Sequence, residues 1–173
     1  SDKKKHSEKG TGVIIKNNKK LFILTVYHCV YGKKEPKPII TPNMINVEID
    51  NIHSDNKVTV INIIEYKENL ILLEIVAEKE IDIIEVKCLD RVFYDKNYFT
   101  RGYPKIMKGN AHNFNATCND NNISTVDFRI QIESITKDTS GGSAIDYIQG
   151  LSGSGVFFNE NGNLYLVGLI NSL

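Results

Sequence analysis

Hydrophobic residues in this chain occur in short runs rich in isoleucine and valine, and clusters of asparagine, glycine, aspartate and lysine separate these runs. Runs of this length and composition, bounded by turn-forming residues, are typical of β-strands rather than helices. The pattern predicts strands at 12–16, 21–25, 45–49, 58–66, 70–76, 83–86, 98–102, 124–132, 155–158 and 164–170. The asparagine-rich segments 16–19 and 159–163 are predicted to close hairpins.

Strands at this spacing, with helices scarce, predict an all-β fold built as a sandwich or as barrels. The polar stretches 105–122 and 136–143 are predicted to be loops that border a binding cleft. A length of 173 residues is enough for one compact unit, either a single domain or two small lobes that share a cleft. Residues 1–9 are charged and precede no hydrophobic run, so we expect a flexible lead-in rather than a signal peptide or anchor.

The charge balance and the cysteines indicate which binding partners and which cellular compartment to expect. Lysine plus arginine equal aspartate plus glutamate at 21 each, so no net field draws the chain to nucleic acid or to an anionic membrane. The cysteines Cys29, Cys88 and Cys118 are odd in number and scattered, which fits neither a disulfide framework nor a paired zinc motif. We therefore expect a cytoplasmic protein that acts on a polypeptide or small molecule and needs no metal and no cofactor.

Two distant segments carry candidate chemistry. Ser152 lies between glycines in the segment 150–155, where a turn can expose a hydroxyl and direct backbone N–H groups outward. His28 closes the predicted strand 21–25, where its imidazole would be held rigidly enough to accept the proton of that hydroxyl. Together the two segments indicate a nucleophile and its general base.

The order and context of these segments resemble the trypsin-like, chymotrypsin-fold serine peptidases. Segment 23–30 is similar to the Leu-Thr-Ala-Ala-His-Cys box of that family, and 146–155 is similar to its nucleophile loop. Segment 68–75 resembles the strand that begins with the family's catalytic aspartate, and 102–104 resembles a Gly-x-Pro turn. The resemblance implies two antiparallel β-barrels, the first at about 10–90 and the second at about 91–173.

The resemblance also implies a role for each matched residue. His28 would be the general base, Asn69 the third catalytic member and Ser152 the nucleophile, with the backbone N–H groups of Gly150 and Ser152 as the oxyanion hole. Asp146 would lie at the floor of a specificity pocket and select lysine or arginine; the alternative is that it is a solvated loop residue with no part in specificity. The final segment resembles one wall of the substrate cleft, which would place two further residues against the substrate, Asn171 and Ser172.

One departure from the family concerns activation. Secreted digestive members pair a new N-terminal amine with an aspartate immediately before the serine, but this chain has Leu151 there. The chain resembles instead the intracellular bacterial trypsin-like domains that are fused to antiviral STAND ATPases and related defence systems. It is therefore expected to be a serine endopeptidase that a covalently linked or associated domain regulates.

A second departure leaves the catalytic set open. An amide at Asn69 can orient an imidazole but carries no charge to stabilise its protonated form. The third member could instead be Asp82, which also precedes a hydrophobic strand. A different class of function is a pseudoprotease that binds a peptide or partner without cutting it.

The C-terminal segment carries a further expectation. Family members continue beyond the strand that 164–173 resembles, so we expect a second barrel truncated at its C-terminus. An incomplete barrel exposes a strand edge, which a partner domain or a second copy of the chain would cover.

Overall fold

The computed structural model describes residues 10–33, 35–50, 56–66, 69–89, 91–93, 96–104, 110–118, 130–132 and 150–171. Within these residues the regular structure is β-strand, apart from a five-residue helix, α1 (Tyr27–Tyr31), and a 3₁₀ turn at Pro42–Met44. The protein is all-β, as the strand pattern predicted.

The first sheet is antiparallel and has the strand order β1-β2-β4-β3. Its strands are β1 (Val13–Asn17), β2 (Lys20–Val26), β3 (Val58–Tyr66) and β4 (Leu70–Ala77). The predicted hairpin at 16–19 joins β1 to β2, and its Asn18 has a φ of 55°, a left-handed conformation that asparagine adopts more readily than most residues.

The second sheet has the strand order β5-β10-β9-β6-β7-β8, and its pairs are antiparallel except for β5 with β10. Its strands are β5 (Val86–Cys88), β6 (Tyr98–Gly102), β7 (His112–Cys118), β8 (Ile130–Ile132), β9 (Gly155–Glu160) and β10 (Asn163–Leu169). The predicted turn between β9 and β10 has left-handed Asn161 and Gly162, as a type I′ hairpin requires. Among the described strands neither sheet closes into a barrel, since each order ends in two edge strands.

The β1-β2 hairpin is hydrophobic on both faces because one face packs in the core of its own sheet and the other face packs against the second sheet. On one face Ile14 and Ile23, which are paired in the register, pack in the core of the first sheet. On the other face Val13 and Leu24 pack against Phe157 of the second sheet. This double burial explains why 13–15 is a continuous hydrophobic run rather than an alternating one.

Each sheet also has its own core. The core of the second sheet is formed by side chains from β6, β7, β9, β10 and the segment before β9, namely Tyr98, Phe114, Ala116, Cys118, Leu151, Val156, Phe158, Val167 and Ile170. The core of the first sheet consists of Ile23, Tyr31, Val60, Ile71, Leu73 and Ile75. Both cores reach residues next to the candidate motifs, so packing positions both segments.

The segment 105–122 was predicted to be a loop, but the structure places β7 within it. Residues Phe114, Ala116 and Cys118 are buried while the residues between them face outward, which is the period-2 pattern of a half-buried strand. The outward positions of β7 include two asparagines, which are depleted in strands and hide this alternation.

The segment 45–49 is not a strand, contrary to its prediction. Ile45, Val47 and Ile49 do pack against the core of the first sheet, but the segment joins no ladder. Predicted strand 83–86 is displaced, since β5 begins at Val86 and already belongs to the second sheet. Of predicted strand 124–132 the structure describes β8, and the predicted loop at 136–143 lies outside the described residues.

Candidate functional site

His28 is held by a short helix at the end of β2. The helix α1 begins directly after Val26 and ends at Tyr31, and the next residue is Gly32, whose φ of 74° suits a residue without a Cβ. The N–H of Gly32 donates to the carbonyl oxygen of His28 at 2.9 Å, which fixes the backbone of the candidate base. The side chain of His28 is half-buried and its Nε2 is shielded from solvent.

Ser152 lies in a loop whose backbone is bonded to β10. Gly153 donates to the carbonyl oxygen of Ile170 at 2.7 Å, and Ile170 donates to that of Ser154 at 2.8 Å. Leu151, before the serine, is fully buried in the core of the second sheet. A buried leucine thus anchors the loop.

The carbonyl oxygen of Ser152 accepts two hydrogen bonds, one from the His28 helix and one from the segment before β1. The thiol of Cys29, the residue after His28, donates to the carbonyl oxygen of Ser152 at 3.2 Å across 123 positions of sequence. The N–H of Thr11 donates to the same oxygen at 2.9 Å. The structure therefore brings the helix that carries His28 next to the loop that carries Ser152.

Thr11 is a residue of this site that the sequence reasoning did not single out. It is buried, and its hydroxyl donates to the carbonyl oxygen of Gly150 at 2.9 Å. Its own carbonyl oxygen accepts the hydroxyl of Thr25 at 2.7 Å. The available signal was a lone polar residue between Gly10 and Gly12, immediately before a buried strand.

The loop geometry bears on the predicted oxyanion hole. The carbonyl oxygen of Leu151 accepts the N–H of Ser154 at 2.8 Å, so it points along the loop. Because a trans peptide unit is planar, the N–H of Ser152 points the opposite way, away from Ser154. Gly150 has a φ of 97°, which glycine adopts without strain, but its preceding residue lies outside the described part of the chain.

Asn69 lies next to the His28 helix, and the described contact is through its backbone. Its carbonyl oxygen accepts the N–H of Tyr27, the first residue of α1, at 2.6 Å. The residue itself is exposed and has a φ of 72° at the start of β4. An asparagine suits this left-handed position, which gives its identity a structural reason independent of catalysis.

The structure does not bring Asp82 to His28. Asp82 is exposed and lines a surface depression together with Lys16 and Glu80. Lys16 pairs with Leu21 near the start of β2, while His28 follows the end of that strand. The five residue steps from Leu21 to Val26 correspond to about 17 Å of extended chain.

The predicted substrate-binding residues are only partly described. Asn171 is exposed and directly follows Ile170, the residue after β10 that is bonded to the serine loop. Asp146 and Ser172 lie outside the described residues.

A cluster of charged and aromatic side chains braces the far face of α1. The Tyr31 hydroxyl donates to Glu65 Oε1 at 2.9 Å, and Lys37 forms an ion pair with the same carboxylate. The Lys37 ammonium also lies 4.0 Å from the centroid of the Tyr31 ring and 5.2 Å from that of Tyr27. The hydrogen bonds from Lys37 and Tyr31 lower the pKa of Glu65, and that from Lys37 to Glu65 raises the pKa of Lys37.

Two further features of the described residues concern metal binding and membrane-spanning helices. No group of three or more histidine, cysteine, aspartate or glutamate residues is placed there to hold a metal ion. None of the helices described is long and hydrophobic enough to cross a membrane.

Comparison with known proteins identifies no family for this chain. No protein-family model matches the sequence, and no curated protein matches it.

Proposed function

We propose that this protein is a serine endopeptidase domain of the trypsin-like type, with Ser152 as nucleophile and His28 as general base. The observation that carries the proposal is the hydrogen bond from Cys29 to the carbonyl oxygen of Ser152. This bond joins Cys29, the residue after His28, to Ser152, which is 123 positions away in the loop before β9. The histidine segment and the serine segment are far apart in sequence but adjacent in space, as a nucleophile and its general base would need to be.

The proposed reaction is acyl transfer to the serine. As the Ser152 oxygen attacks a peptide carbonyl carbon, His28 accepts the hydroxyl proton, and the new C–O bond gives a tetrahedral intermediate. The C–N bond then breaks, and His28 delivers the proton to the leaving amine. Water enters by the same route, releases the acyl group and restores the serine.

The backbone of the serine loop supplies the electrostatic part of this chemistry. The N–H of Ser152, which points away from Ser154, would donate together with that of Gly150 to the oxygen that becomes negative. Loss of one such donor costs about 3–4 kcal/mol of transition-state stabilisation in related chemistry. The buried Leu151 anchors this loop by packing, so the proposal requires no cleavage of the chain to form the site.

The finer architecture and biological role are part of the same proposal. The two sheets would correspond to the two lobes of the chymotrypsin fold, with the substrate between them. The resemblance to bacterial defence proteases favours a cytoplasmic effector domain that a linked or associated domain regulates. Asp146 would give a preference for lysine or arginine, and Asn171 and Ser172 would bind the substrate backbone.

The alternative is a recognition module that binds a peptide without cutting it. The geometry of Asn69 favours it, because an exposed turn residue bonded through its backbone supplies no negative charge behind His28. A catalytically weak protein could then use the same cleft to hold a partner.

Exposure to a defined peptide library, with product identification by mass spectrometry, tests the proposal. Wild-type protein is expected to cleave after a restricted set of residues, and Ser152→Ala is expected to cleave none. Ser154→Ala is the matched control, since it removes a hydroxyl two residues away in the same loop, and it should cleave at the wild-type positions. Equal product from wild type and Ser152→Ala would refute the peptidase and favour the recognition module.

A further inference from the structure

We infer that Thr11 is a positioning residue for the serine loop, an inference that rests on the proposed function. Its backbone and side chain bind two successive parts of that loop. The Thr11 N–H donates to the carbonyl oxygen of Ser152 at 2.9 Å, and the Thr11 hydroxyl donates to that of Gly150 at 2.9 Å. One residue thus fixes the backbone on both sides of Leu151.

The two bonds determine where the loop N–H groups can point. Each peptide unit is planar, so fixing a carbonyl oxygen also fixes the N–H of the next residue. The Ser152 N–H belongs to the peptide group between Leu151 and Ser152. Thr11 fixes the oxygens of the peptide groups immediately before and after it, those of Gly150 and Ser152. Thr11 therefore limits rotation of the proposed oxyanion donor without contacting the substrate.

The side chain of Thr11 holds the serine loop through its hydroxyl. Besides donating to Gly150, it accepts the N–H of Tyr103 at 3.4 Å, so it bridges the serine loop and the end of β6. Thr11 is 7% exposed, and the lost hydrogen bonds would not be replaced by bulk water. Valine has nearly the same shape as threonine but can make neither bond.

The position of Thr11 is set by the first sheet. The hydroxyl of Thr25 in β2 donates to the Thr11 carbonyl oxygen at 2.7 Å. The flanking glycines allow close packing on that sheet, since a Cβ on Gly10 would lie 2.4 Å from the sulfur of Cys29 and one on Gly12 would lie 2.4 Å from Ile23. The segment 10–12 thus couples the element carrying His28 to the loop carrying Ser152.

The test uses a fluorophosphonate probe on the full chain. In this reaction the Ser152 oxygen forms a bond to phosphorus, the P–F bond breaks, fluoride leaves and His28 takes the hydroxyl proton. The rate at saturating probe (kinact) and the half-saturating concentration (KI) are measured for wild type, Thr11→Val, Thr11→Ser and Thr25→Val. Thr25→Val removes the hydroxyl that holds the Thr11 carbonyl oxygen and leaves both Thr11 bonds to the loop in place, so it measures the anchor of Thr11 separately from those two bonds. Thermal unfolding midpoints are recorded for every variant.

Thr11→Val is expected to lower kinact at least tenfold with KI changed less than threefold, and Thr11→Ser is expected to restore kinact to within threefold. Thr25→Val should lower the unfolding midpoint and lower kinact by less than Thr11→Val does, since both bonds from Thr11 to the loop remain. The inference is overturned if Thr11→Val reacts like wild type, or if Thr11→Ser is as slow as Thr11→Val. If Thr11→Val does not fold, folded Thr11→Ala with a wild-type kinact overturns it and a tenfold loss supports it. Failure of the wild type to react at Ser152 would instead refute the proposed function.

Discussion

The thiol of Cys29 donates to the carbonyl oxygen of Ser152 at 3.2 Å, and this contact connects the helix of the candidate base to the loop of the candidate nucleophile. Cys29→Ala removes the donor from a half-buried site and is expected to lower the free energy of unfolding by about 1 kcal/mol. The reaction of Ser152 with a fluorophosphonate should slow several-fold because the loop is less well fixed.

Cys29→Ser is the control for that change, since its hydroxyl can donate to the same oxygen. Chemical denaturation and labelling kinetics should place it closer to wild type than Cys29→Ala. Equal behaviour of the two variants would show that the Cys29 bond has no part in positioning the loop.

Gly153 and Gly162 offer a matched pair of left-handed glycines. Gly153 has a φ of 86° and a Cβ there would lie 1.8 Å from the Thr11 carbonyl oxygen, whereas Gly162 has a φ of 77° with open space around it. Gly162→Ala is expected to cost about 1–2 kcal/mol from backbone strain alone. Gly153→Ala adds a backbone clash and should cost about 4 kcal/mol or more. Denaturation of both variants, followed by circular dichroism, measures the difference; equal losses would contradict the packing described for segment 10–12.

Asn69 and Asp82 differ in their position relative to His28, so their variants should differ in activity. Asn69→Asp introduces a carboxylate at the residue whose backbone carbonyl is bonded to α1. Aspartate also tolerates the left-handed conformation of this residue. A negative charge there would stabilise the protonated imidazole, so peptide hydrolysis should rise at least tenfold. Asp82→Ala should leave the rate within twofold of wild type. The reverse result, no gain from Asn69→Asp and loss of activity in Asp82→Ala, would assign the third catalytic position to Asp82.

The Lys37–Glu65 ion pair predicts a defined acid dependence of stability. Hydrogen bonds, first from Lys37 and then from Tyr31, lower the pKa of Glu65 from its ordinary value of 4.5. A lowered carboxyl pKa means that the stabilisation is present above about 4.5 and is lost as the pH falls through the lower folded value. A double-mutant cycle of Glu65→Gln and Lys37→Met should therefore show favourable coupling at pH 7 and a reduced coupling at pH 3. Coupling that is unchanged between the two pH values would contradict the ionic origin of the contact.

The strand pattern could be predicted where hydrophobic residues dominate a segment. β3 has the predicted bounds, and both predicted hairpin turns are found. The pattern does not predict β7 because asparagines occupy its outward positions, and it predicts a strand at 45–49 because an extended segment on a core has the same alternation as a paired strand. Periodicity reports which side chains are buried, but it carries no information on backbone pairing.

The candidate site shows the same division. The proximity of the segments that carry His28 and Ser152 could be predicted because each segment has a distinctive local motif, and the catalytic pairing of the two side chains stays a prediction. The contacts of Thr11 could not, since they depend on which carbonyl oxygens of a distant loop approach the segment 10–12. The left-handed backbone of Asn69 likewise becomes visible only when the β3-β4 connection is known.

The central claim is that Ser152 is an activated nucleophile with His28 as its base. The most direct test is reaction of the protein with a fluorophosphonate, followed by proteolytic digestion and mass spectrometry to locate the modified residue. The account predicts a single adduct on Ser152 in wild type and in Ser154→Ala, and none in Ser152→Ala or in folded His28→Ala. An unmodified Ser152 in the wild type, or an adduct that persists in His28→Ala at the wild-type rate, would contradict it.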